Sequence, residues 1–449
     1  DLHSFPTRRS SDLPTALLEL GVDTVFGYPG GSVLNIYDAM YDYQDKIKNI
    51  ITSTEQGAAH AADGYARSTG KVGVAIATSG PGATNLITGI ATAFMDSVPV
   101  VYITGNVAQN LIGKDSFQEV YTTGITMPIT KHNFVVREVD KIADTIREAF
   151  RIASSGRKGP VLIDFPKDVT IAEYDFEEKK SEEKKSEEFK DENLLDEIAK
   201  LINESKKPVI YSGGGVISSN ASEELRQVID KSSIPACNSI MGIGNLDYNK
   251  YFLGMAGMHG RVSTNYAIDN SDLIIAIGTR FSDRTVTNTE KFAPRAKIIH
   301  IDIDASEIRK NVNIDYDIIG DVKDILTKLL PKIKRQDRDE WLAEIENWKK
   351  SDYIEVRENG VIRPKELLEK LSDMAGDDAV FVTDVGQHQM WACQYCKVTK
   401  PRHFLTSAGL GTMGYGYGAA IGAKIANAEK TVVHITGDGS RLVDRKSVV

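Results

Sequence analysis

Two carboxylates stand where this sequence could carry out proton transfer or metal chemistry. Glu55 follows a short apolar segment (47–52) and opens a stretch rich in Ala and Gly, which would allow close packing and a dry surrounding. Desolvated carboxyl groups hold a proton more readily, which suits them to proton sharing. Asp438 lies in a tight Gly-Asp-Gly-Ser turn and offers the hard oxygen ligand that Mg²⁺ prefers. By position alone, Glu55 could instead be a helix N-terminal carboxylate stabilised by the helix dipole.

Five glycine-rich turns follow segments that read as strands: GYPGG (27–31), SGPGATN (79–85), SGGG (212–215), GTRFSDR (278–284) and ITGDGS (435–440). Ligands of parallel sheets bind at such strand ends, where backbone N–H groups favour anions. None of the turns is a Walker A loop or the dinucleotide fingerprint with its later acidic residue. Each turn alone could simply bend the backbone, but five together indicate one large phosphorylated ligand, or two.

The elements that would position these turns alternate between apolar strands and helices. Predicted strands are 22–26, 47–52, 72–78, 98–104 and 161–164, then 208–212, 273–277 and 297–302, and last 380–383 and 431–436. Strands that are apolar throughout and joined by helices indicate parallel sheets covered on both faces. The sequence therefore predicts an α/β protein of three doubly wound parallel-sheet domains, the last incomplete.

Composition excludes several classes of protein. The 449 residues are 41% hydrophobic and 26% charged, with a formal net charge of −9, which argues against a nucleic-acid partner. No apolar run approaches the length of a membrane span. The three cysteines make no disulfide framework, so we expect a cytoplasmic enzyme. Cys393 and Cys396 form C-x-x-C without a second pair, and we assign them no role.

Three segments depart from the alternating pattern. Residues 1–12 show no periodicity, and we expect a non-native or disordered arm. The tail 441–449, RLVDRKSVV, gives no amphipathic helix and is also expected to be non-native. Residues 173–192 hold ten acidic and five basic residues in a five-residue repeat. This composition favours a solvated linker or exposed helix, with an acidic interaction surface as the alternative.

A set of motifs runs along the chain in a fixed order: GYPGG (27–31), TSTEQGAAHAADGYARSTG (52–70), SGPGATN (79–85), FQE (117–119), SGRKGPVLIDFPKDV (155–169), GMHG (257–260), GTRFSDR (278–284), VGQHQMW (385–391), SAGLGTMGYG (407–416) and GDGS (437–440). In this order they resemble the large catalytic subunit of acetolactate synthase (acetohydroxyacid synthase), a thiamine diphosphate (ThDP) enzyme. The resemblance extends from about Leu17 to Ser440. ThDP enzymes in general share only the Glu55-type carboxylate and the Gly-Asp-Gly turn.

The resemblance implies a ThDP site. Glu55 would share a proton with N1′ of the aminopyrimidine ring, whose 4′-imino group then takes the proton from C2. Gly30 and Gly31 would face the thiazolium ring from the partner subunit, with Phe117 and Gln118 on the substrate side. Met413 would support the bent shape of ThDP, although without the resemblance it reads as an ordinary core methionine. The other implied ThDP contacts are Val385, Gly386, Gln387, His388, Gly411, Gly437, Gly439 and Ser440.

The resemblance also implies FAD in the middle domain, although the net reaction moves no electrons. Arg280 could pair with a pyrophosphate, and glycines let the backbone approach it. Arg284 would hold the carboxylate of a 2-ketoacid, or with Lys167 face the active-site entrance; both are alternatively plain surface residues. The implied FAD contacts are Arg157, Gly213, Gly214, Gly215, Met258, His259, Gly278, Arg280, Asp302, Ile303 and Asp321.

Mg²⁺ is implied at Asp438, where it would hold the diphosphate of ThDP. In ThDP enzymes an Asn further along completes the metal site, and this chain ends before that position. The departure begins at Arg441, where the family has a large apolar residue. We therefore expect a C-terminally truncated chain with an incomplete metal site.

The implied activity is decarboxylation of pyruvate and carboligation to pyruvate or 2-ketobutyrate, which opens branched-chain amino acid biosynthesis. The family implies a homodimer or homotetramer with active sites at the subunit interface, and a regulatory small subunit. The expected domains are 13–170 (pyrimidine-binding), 193–340 (FAD-binding) and 351–440 (diphosphate-binding), with a charged linker at 171–192.

Other functions stay open from the residues alone. A pyruvate oxidase-like enzyme would use the same two cofactors. The FAD-free catabolic acetolactate synthase is disfavoured by GMHG and GTRFSDR, and glyoxylate carboligase by the presence of Glu55. A non-catalytic flavin-binding fragment is the alternative from a different class.

Overall fold

A computed structural model describes residues 12–172, 174, 188–352 and 360–443. The first part of the chain contains α1 (Asp12–Glu19), β1 (Thr24–Tyr28), α2 (Leu34–Tyr41), β2 (Lys48–Ile51), α3 (Glu55–Thr69), β3 (Gly73–Ala77), α4 (Pro81–Asn85), α5 (Ile87–Met95), β4 (Val100–Asn106), α6 (Thr122–Thr126), β5 (His132–Val135), α7 (Ile142–Ser154) and β6 (Val161–Pro166). The middle contains α8 (Glu192–Glu204), β7 (Pro208–Ser212), α9 (Gly214–Ser218), α10 (Ser222–Ser232), β8 (Ala236–Asn238), β9 (Phe252–Met255), α11 (Val262–Asn270), β10 (Leu273–Ile277), β11 (Lys297–Asp302), β12 (Tyr316–Ile319), α12 (Val322–Leu329) and α13 (Asp339–Lys349). The last part contains α14 (Pro364–Ala375), β13 (Val380–Thr383), α15 (Gln387–Tyr395), β14 (Phe404–Leu405), α16 (Tyr415–Ala426), β15 (Val432–Ile435) and α17 (Asp438–Val443).

The described residues form two compact units, and the first of them combines an early and a late part of the chain. It comprises residues 12–172, 174, 380–386 and 405–443. Its larger sheet has the strand order β2-β1-β3-β4-β6-β5, with every pair parallel. The chain runs outward from β1 to β2 and then resumes on the other side of β1 with β3. A crevice for ligands is expected at this reversal, outside the carboxyl ends of β1 and β3.

The first unit also contains a small sheet of order β14-β13-β15, in which β13 and β15 are parallel. Helix α16 covers this sheet and packs directly on α3. Three glycines make the close approach possible: a Cβ on Gly64 or Gly422 would overlap backbone of the facing helix, and one on Gly418 would lie 2.9 Å from Gly57 O. Small residues therefore bring the two backbones together, since residues four apart share one face of a helix.

Helix α3 has clear start and stop signals in the sequence. Thr54 is its N-cap, and the Thr54 hydroxyl accepts a hydrogen bond of 3.1 Å from Gly57 N. Gly70 ends the helix with a φ of 79°, a conformation that glycine adopts without steric cost. The helix is buried along most of its length, which its Ala- and Gly-rich composition permits.

The second unit comprises the described residues 188–352, 360–379 and 387–404. Its sheet has the order β12-β11-β10-β7-β8-β9, again with all pairs parallel. The reversal of direction falls here between β7 and β10. The turns after these two strands are the predicted glycine-rich segments 212–215 and 278–284.

The predicted fold class is confirmed: three parallel sheets with covering helices arise from the three alternating series. Pro208–Ser212, Leu273–Ile277, Lys297–Asp302 and Val380–Thr383 match the predicted strands residue for residue. Five strands were not predicted from the sequence: β5, β8, β9, β12 and β14. These strands are only two to four residues long, and β5 lies at a sheet edge with no buried residue, so their apolar pattern is weak.

The expectations about irregular segments stay predictions. A short helix, α17, begins at Asp438 within the Gly-Asp-Gly turn and extends to Val443, so it includes the first three residues of the predicted tail. A helix of six residues is too short to show an amphipathic period. The arm 1–11, most of the charged segment (173 and 175–187) and residues 444–449 lie outside the described residues. Within the described ranges, no helix has the length and apolar character to cross a bilayer.

The contact between α3 and α16 predicts the effect of Gly422→Ala. Ala has a helix propensity better than that of Gly by about 1 kcal/mol, but its Cβ would overlap the carbonyl of Ala61. We expect the free energy of unfolding to fall by about 1–3 kcal/mol, measured by urea denaturation. Ile421→Ala, on the exposed face of the same helix, should change it by about 0.5 kcal/mol or less. A stabilised Gly422→Ala variant would contradict the described packing.

Candidate active site

Glu55 lies beside the point where the first sheet reverses direction. Its side chain is 9% exposed, and Asn85 Nδ2 donates a hydrogen bond of 2.9 Å to Glu55 Oε2. A Cβ on Gly82 would lie 3.2 Å from Glu55 Oε1. Asn85, in the segment after β3, therefore binds one carboxylate oxygen, and Gly82 leaves room beside the other. The SGPGATN turn was predicted from the sequence, but no role was predicted for Asn85.

The turn after β1 contacts the turn after β3. Ser32 and Thr78 share a hydrogen bond between their hydroxyls of 2.9 Å, and Ser79 N donates to Ser32 Oγ at 2.9 Å. A Cβ on Gly30 would lie 2.5 Å from Thr78 Cβ. Gly30 is therefore required for close packing of the two turns. Gly31 borders open space, so its predicted role would be to leave room for a ligand.

Gln118 lies on a third turn that reaches the same place. Its φ of 60° is left-handed, and a Cβ on Gly80 would lie 2.9 Å from Gln118 Cα. Glu119 fixes the preceding loop by accepting hydrogen bonds from Gly113 N and, at 3.0 Å, from Ser116 N. These bonds, the one from Gly113 first, lower the pKa of the Glu119 carboxyl. Phe117 is 88% exposed.

Tyr37 adds a phenol to this region that the sequence analysis missed. Its hydroxyl is buried and has no hydrogen-bond partner among the described residues. Burial, and after it the negative charge of Glu55, raise the pKa of Tyr37 above its usual range. A Cβ on Gly27 would overlap this hydroxyl, so the glycine of the first turn makes room for it.

A second group of predicted residues lies near Asp384 in the same unit. It ends β13, is 1% exposed, and its Oδ1 accepts a hydrogen bond of 2.7 Å from Gly414 N. Thr436 Oγ1 donates to Asp384 Oδ2 at 3.3 Å, and His434 Nε2 lies 3.5 Å from the same oxygen. Burial acts to raise the pKa of Asp384, but His434 and the backbone donors outweigh it and lower that pKa. The sequence signal was available, since Asp384 directly follows the predicted strand 380–383.

Most of the residues predicted to hold a diphosphate lie around Asp384. Ser440 Oγ donates a hydrogen bond of 3.1 Å to Val385 O, and a Cβ on Gly439 would lie 3.5 Å from Met413 Cε. Met413 is 43% exposed, so the alternative of an ordinary core methionine is wrong. Asp438 is exposed, and its Oδ1 accepts a hydrogen bond of 2.8 Å from Gly439 N. Gly411, Gly437 and Gly386 belong to the same turns.

The second unit brings its own predicted turns together at its sheet reversal. Gly278, at a φ of 57°, lies so close to the 213–215 turn that a Cβ on Gly215 would lie 2.6 Å from Gly278 Cα. Gly215 N donates a hydrogen bond of 3.0 Å to Gly278 O. The buried Asn245, which the sequence analysis missed, donates through its Nδ2 to Ser212 Oγ and Gly213 O at 3.0 Å each.

The GMHG turn (257–260) contacts the turn that carries the predicted arginines. Met258 N donates a hydrogen bond of 2.7 Å to Arg284 O, and Arg284 Nη1 lies 3.8 Å from Met258 Sδ. The Arg284 guanidinium is 64% exposed and its nearest acidic partner, Asp283, is 3.8 Å away. It is therefore accessible to a ligand. Burial, and then the charge of Arg284, lower the pKa of His259.

The remaining acidic residues predicted for FAD are Asp302, the last residue of β11, and Asp321, which lies just after β12. Asp302 Oδ1 accepts a hydrogen bond of 2.9 Å from Asp304 N, and Ile303 is 37% exposed. Asp321 is the N-cap of α12 and accepts from Lys323 N and Asp324 N. The carboxylate of Asp321 thus already has a structural role.

Some predicted residues are not part of these three groups. Gln387 and His388 begin α15 and belong to the second unit, whereas Val385 and Gly386 belong to the first. Arg157, predicted to contact FAD, belongs to the first unit, where its Nε donates a hydrogen bond of 2.9 Å to Ser97 Oγ. Arg280, by contrast, lies with Arg284 in the turn after β10, where its carbonyl accepts from Asn311 Nδ2 at 3.0 Å.

Comparison with known protein families gives three matches. Residues 10–125 match the N-terminal TPP binding domain of thiamine pyrophosphate enzymes. Residues 195–329 match the central domain, and residues 384–443 the C-terminal TPP binding domain, of the same enzymes. The first and last matches contain Glu55 and Asp438, respectively.

Curated relatives are similar over most of the chain. An acetolactate synthase from Mycobacterium bovis is 48% identical over 436 residues, which cover 94% of this chain and 70% of the relative. The acetolactate synthase large subunit of Haemophilus influenzae is 45% identical over 438 residues, covering 95% of this chain and 76% of the relative. That of Corynebacterium glutamicum is 46% identical, covering 94% and 69%. The chain therefore belongs to the acetolactate synthase large-subunit family of thiamine pyrophosphate enzymes.

Proposed function

We propose that this chain is the catalytic subunit of an acetolactate synthase. It would decarboxylate pyruvate and join the remaining two-carbon unit to a second 2-ketoacid. The products would be 2-acetolactate from pyruvate and 2-aceto-2-hydroxybutyrate from 2-ketobutyrate. The observation that carries the proposal is Glu55, a buried carboxylate held by Asn85 at a sheet reversal. Membership of the family supports the same activity.

The residues around Glu55 fit the aminopyrimidine part of ThDP. When bound, ThDP supplies a carbon nucleophile and an electron sink for the decarboxylation. Asn85 donates to Glu55 Oε2, and the glycine at position 82 leaves space near Oε1. Glu55 can then hold or release a proton at a ring nitrogen without moving. The low exposure of Glu55 keeps water from competing for that proton.

The residues around Asp438 fit a diphosphate with its Mg²⁺. Asp438 presents an exposed carboxylate, and Gly437 and Gly439 leave the backbone of the turn accessible. No group of three His, Cys, Asp or Glu side chains in the described ranges could hold a metal alone. Mg²⁺ commonly takes one or two carboxylates and completes its shell with phosphate oxygens and water. We therefore propose that Asp438 and the diphosphate bind the metal jointly.

The second unit fits a flavin dinucleotide. Gly213, Gly215 and Gly278 bring two turns into backbone contact at the reversal between β7 and β10, a position typical of pyrophosphate sites. Arg280 and the exposed Arg284 supply positive charge on the same turn. We assign Arg280 to the pyrophosphate, and Arg284 to the carboxylate of the 2-ketoacid. Lys167 remains a candidate for the entrance.

We further propose an assembly with shared active sites. The exposed Phe117 and Gly31, together with Gly30 and Gln118, would face the cofactor bound with a partner subunit. Pyrimidine-, FAD- and diphosphate-binding roles are assigned to 13–170, 193–340 and 351–440. A homodimer or homotetramer, a regulatory small subunit and a cytoplasmic location complete the proposal. The three free cysteines fit a reducing compartment.

Glu55→Gln tests the proton role directly. The glutamine carbonyl can still accept from Asn85, so the local packing should survive while proton exchange is lost. Pyruvate consumption and acetolactate formation should fall on the order of 10²–10⁴-fold. The matched control is Glu148→Gln on the exposed face of α7, which should keep full activity. Product analysis is part of the assay: acetyl phosphate with oxygen uptake in the unmodified enzyme would indicate an oxidase instead.

Asp438→Asn tests the metal site. In the unmodified enzyme, saturating Mg²⁺ should tighten ThDP binding by about tenfold or more, a gain of about 1.4 kcal/mol. The variant should lose most of this Mg²⁺ dependence, as seen in calorimetric titrations with and without the metal. Asp45→Asn, at an exposed loop position, should retain it. An unchanged Mg²⁺ dependence in Asp438→Asn would remove Asp438 from the site.

Gly278→Ala tests the flavin site. The added Cβ would lie 2.6 Å from Gly215 Cα and force the two turns apart, so purified protein should carry much less FAD, measured by visible absorbance per chain. Gly376→Ala is the matched control, because Gly376 also has a positive φ, 82°, but no atom lies within 4 Å of its Cβ position. Equal FAD contents in the two variants would show that this contact is not part of the flavin site.

A further inference from the structure

A cavity of about 210 Å³ lies at the amino ends of β1 and β3, whereas the turns around Glu55 lie at their carboxyl ends. It is enclosed by the segment that joins α1 to β1, the turn after α3, and helix α7. Tyr65 lies ten residues along α3 from Glu55, a distance of about 15 Å at the rise of an α-helix. The cavity is therefore separate from the candidate active site. Its lining includes Leu20, Val22, Tyr65, Lys71, Val72 and Phe150.

The inner walls of this cavity are apolar. Val22 and Phe150 are nearly buried members of the hydrophobic core, and Leu20 and Val72 pack against it. The Tyr65 ring is also nearly buried. A buried water needs two to four polar partners, so it gains little from such walls, whereas an apolar cavity of about 150 Å³ is already large enough for benzene. The space therefore suits an apolar group about the size of an aromatic ring.

The rim of the cavity is polar, and its two charges balance. Asp23 Oδ1 accepts hydrogen bonds from Tyr65 Oη at 2.6 Å and Thr24 Oγ1 at 2.8 Å, and Lys71 Nζ donates to Asp23 Oδ2 at 2.9 Å. Burial acts to raise the pKa of Asp23, but the hydrogen bonds from Tyr65 and Lys71 outweigh it and lower that pKa. The Asp23 carboxylate is therefore ionised and neutralises the Lys71 ammonium. An ammonium group has more N–H donors than this one bond uses, so Lys71 can still donate to a ligand.

The rim is also accessible from solvent. The Lys71 side chain is 55% exposed and that of Asp23 is 50% exposed. Next to them Gly21 has a φ of 73°, and no atom of the described residues lies within 4 Å of the position that its Cβ would take. A small molecule can therefore reach the apolar walls past the ion pair.

We propose that this cavity binds a small uncharged molecule with an aromatic ring or branched apolar chain and one hydroxyl or carbonyl group. The apolar part would lie among Val22, Val72 and Phe150, and the oxygen would accept a hydrogen bond from Lys71. A carboxylate ligand would instead lie beside the charge of Asp23 and compete with it for Lys71. This inference goes beyond the proposed function and does not rest on it.

Binding of phenol to the full chain is the primary test, with benzoate as a charged probe of similar size. Titrations followed by ligand-detected NMR should give saturable phenol binding with a Kd of about 1 mM, which so small a ligand can reach. Benzoate should bind at least about tenfold more weakly, because its charge meets that of Asp23. Val72→Phe, whose ring would occupy the cavity, should weaken phenol binding by about tenfold or more. Val135→Phe, the same change at an exposed position of β5, should leave it unchanged.

Benzene provides a second measurement if Val72→Phe does not fold. In the unmodified chain, phenol should bind about three- to tenfold more tightly than benzene, the contribution of one hydrogen bond. Lys71→Met keeps the length of the side chain and removes the donor, so this preference should disappear while benzene still binds. The proposal would be overturned by a lack of saturable phenol binding, by equal binding of benzoate, by unchanged phenol binding in folded Val72→Phe, or by an undiminished preference for phenol in Lys71→Met. Each of these results would leave the proposed function intact, because Glu55 lies at the other end of the strands.

Discussion

The backbone contact between α3 and α16 is the constraint on which the first unit depends. It joins segments more than 300 residues apart in sequence, and it exists because glycines at positions 64, 418 and 422 replace side chains that would keep the helices apart. At such a separation the polar groups of both segments reach one another directly. Arg67, on α3, pairs with Asp63 and Asp96, and Asp96 accepts hydrogen bonds from the backbone of Ala408 and Gly409. The positions of α3 and of the segment 406–409 are therefore not independent.

Sheet topology decides where chemistry can occur in this chain. In both larger sheets the chain reverses direction once, and the turns on either side of the reversal contain glycines that allow close backbone contact. Glycine serves two purposes there: Gly30 and Gly215 let two turns touch, whereas Gly31 leaves a surface open. A side chain that must meet a ligand is placed at the rim of such a crevice by the strand or helix next to it. Glu55 has this place in the first unit, and Arg284 belongs to the corresponding turn in the second.

How much could be predicted from the sequence depends on how far apart the interacting residues lie along the chain. The fold class, the strands of the sheet centres and the glycine turns are local patterns, and they were recovered. Asn85, Glu119 and Asn245 were missed, although each holds a predicted turn in place, because their roles depend on contacts that no spacing rule reports. Asp96 is the extreme case: its carboxylate is bound by backbone N–H groups more than 300 positions away. Short edge strands such as β5 were missed for a different reason, since they bury too little apolar surface to leave a pattern.

Both crevices lie where a parallel sheet reverses direction, but the charged side chains beside them have opposite signs. The first presents a carboxylate, Glu55, whose partner Asn85 is a neutral donor, which fits the proposed proton sharing with a ring nitrogen. The second presents Arg280 and Arg284 on one turn, with Asp283 at 3.8 Å as the nearest acidic partner of Arg284, which suits a pyrophosphate or a carboxylate. In both crevices, glycines allow two backbone turns to come close together. The crevices therefore differ mainly in the side chains that follow those glycines. The difference in charge between the two crevices, more than their shape, is what supports the proposal of a different cofactor for each.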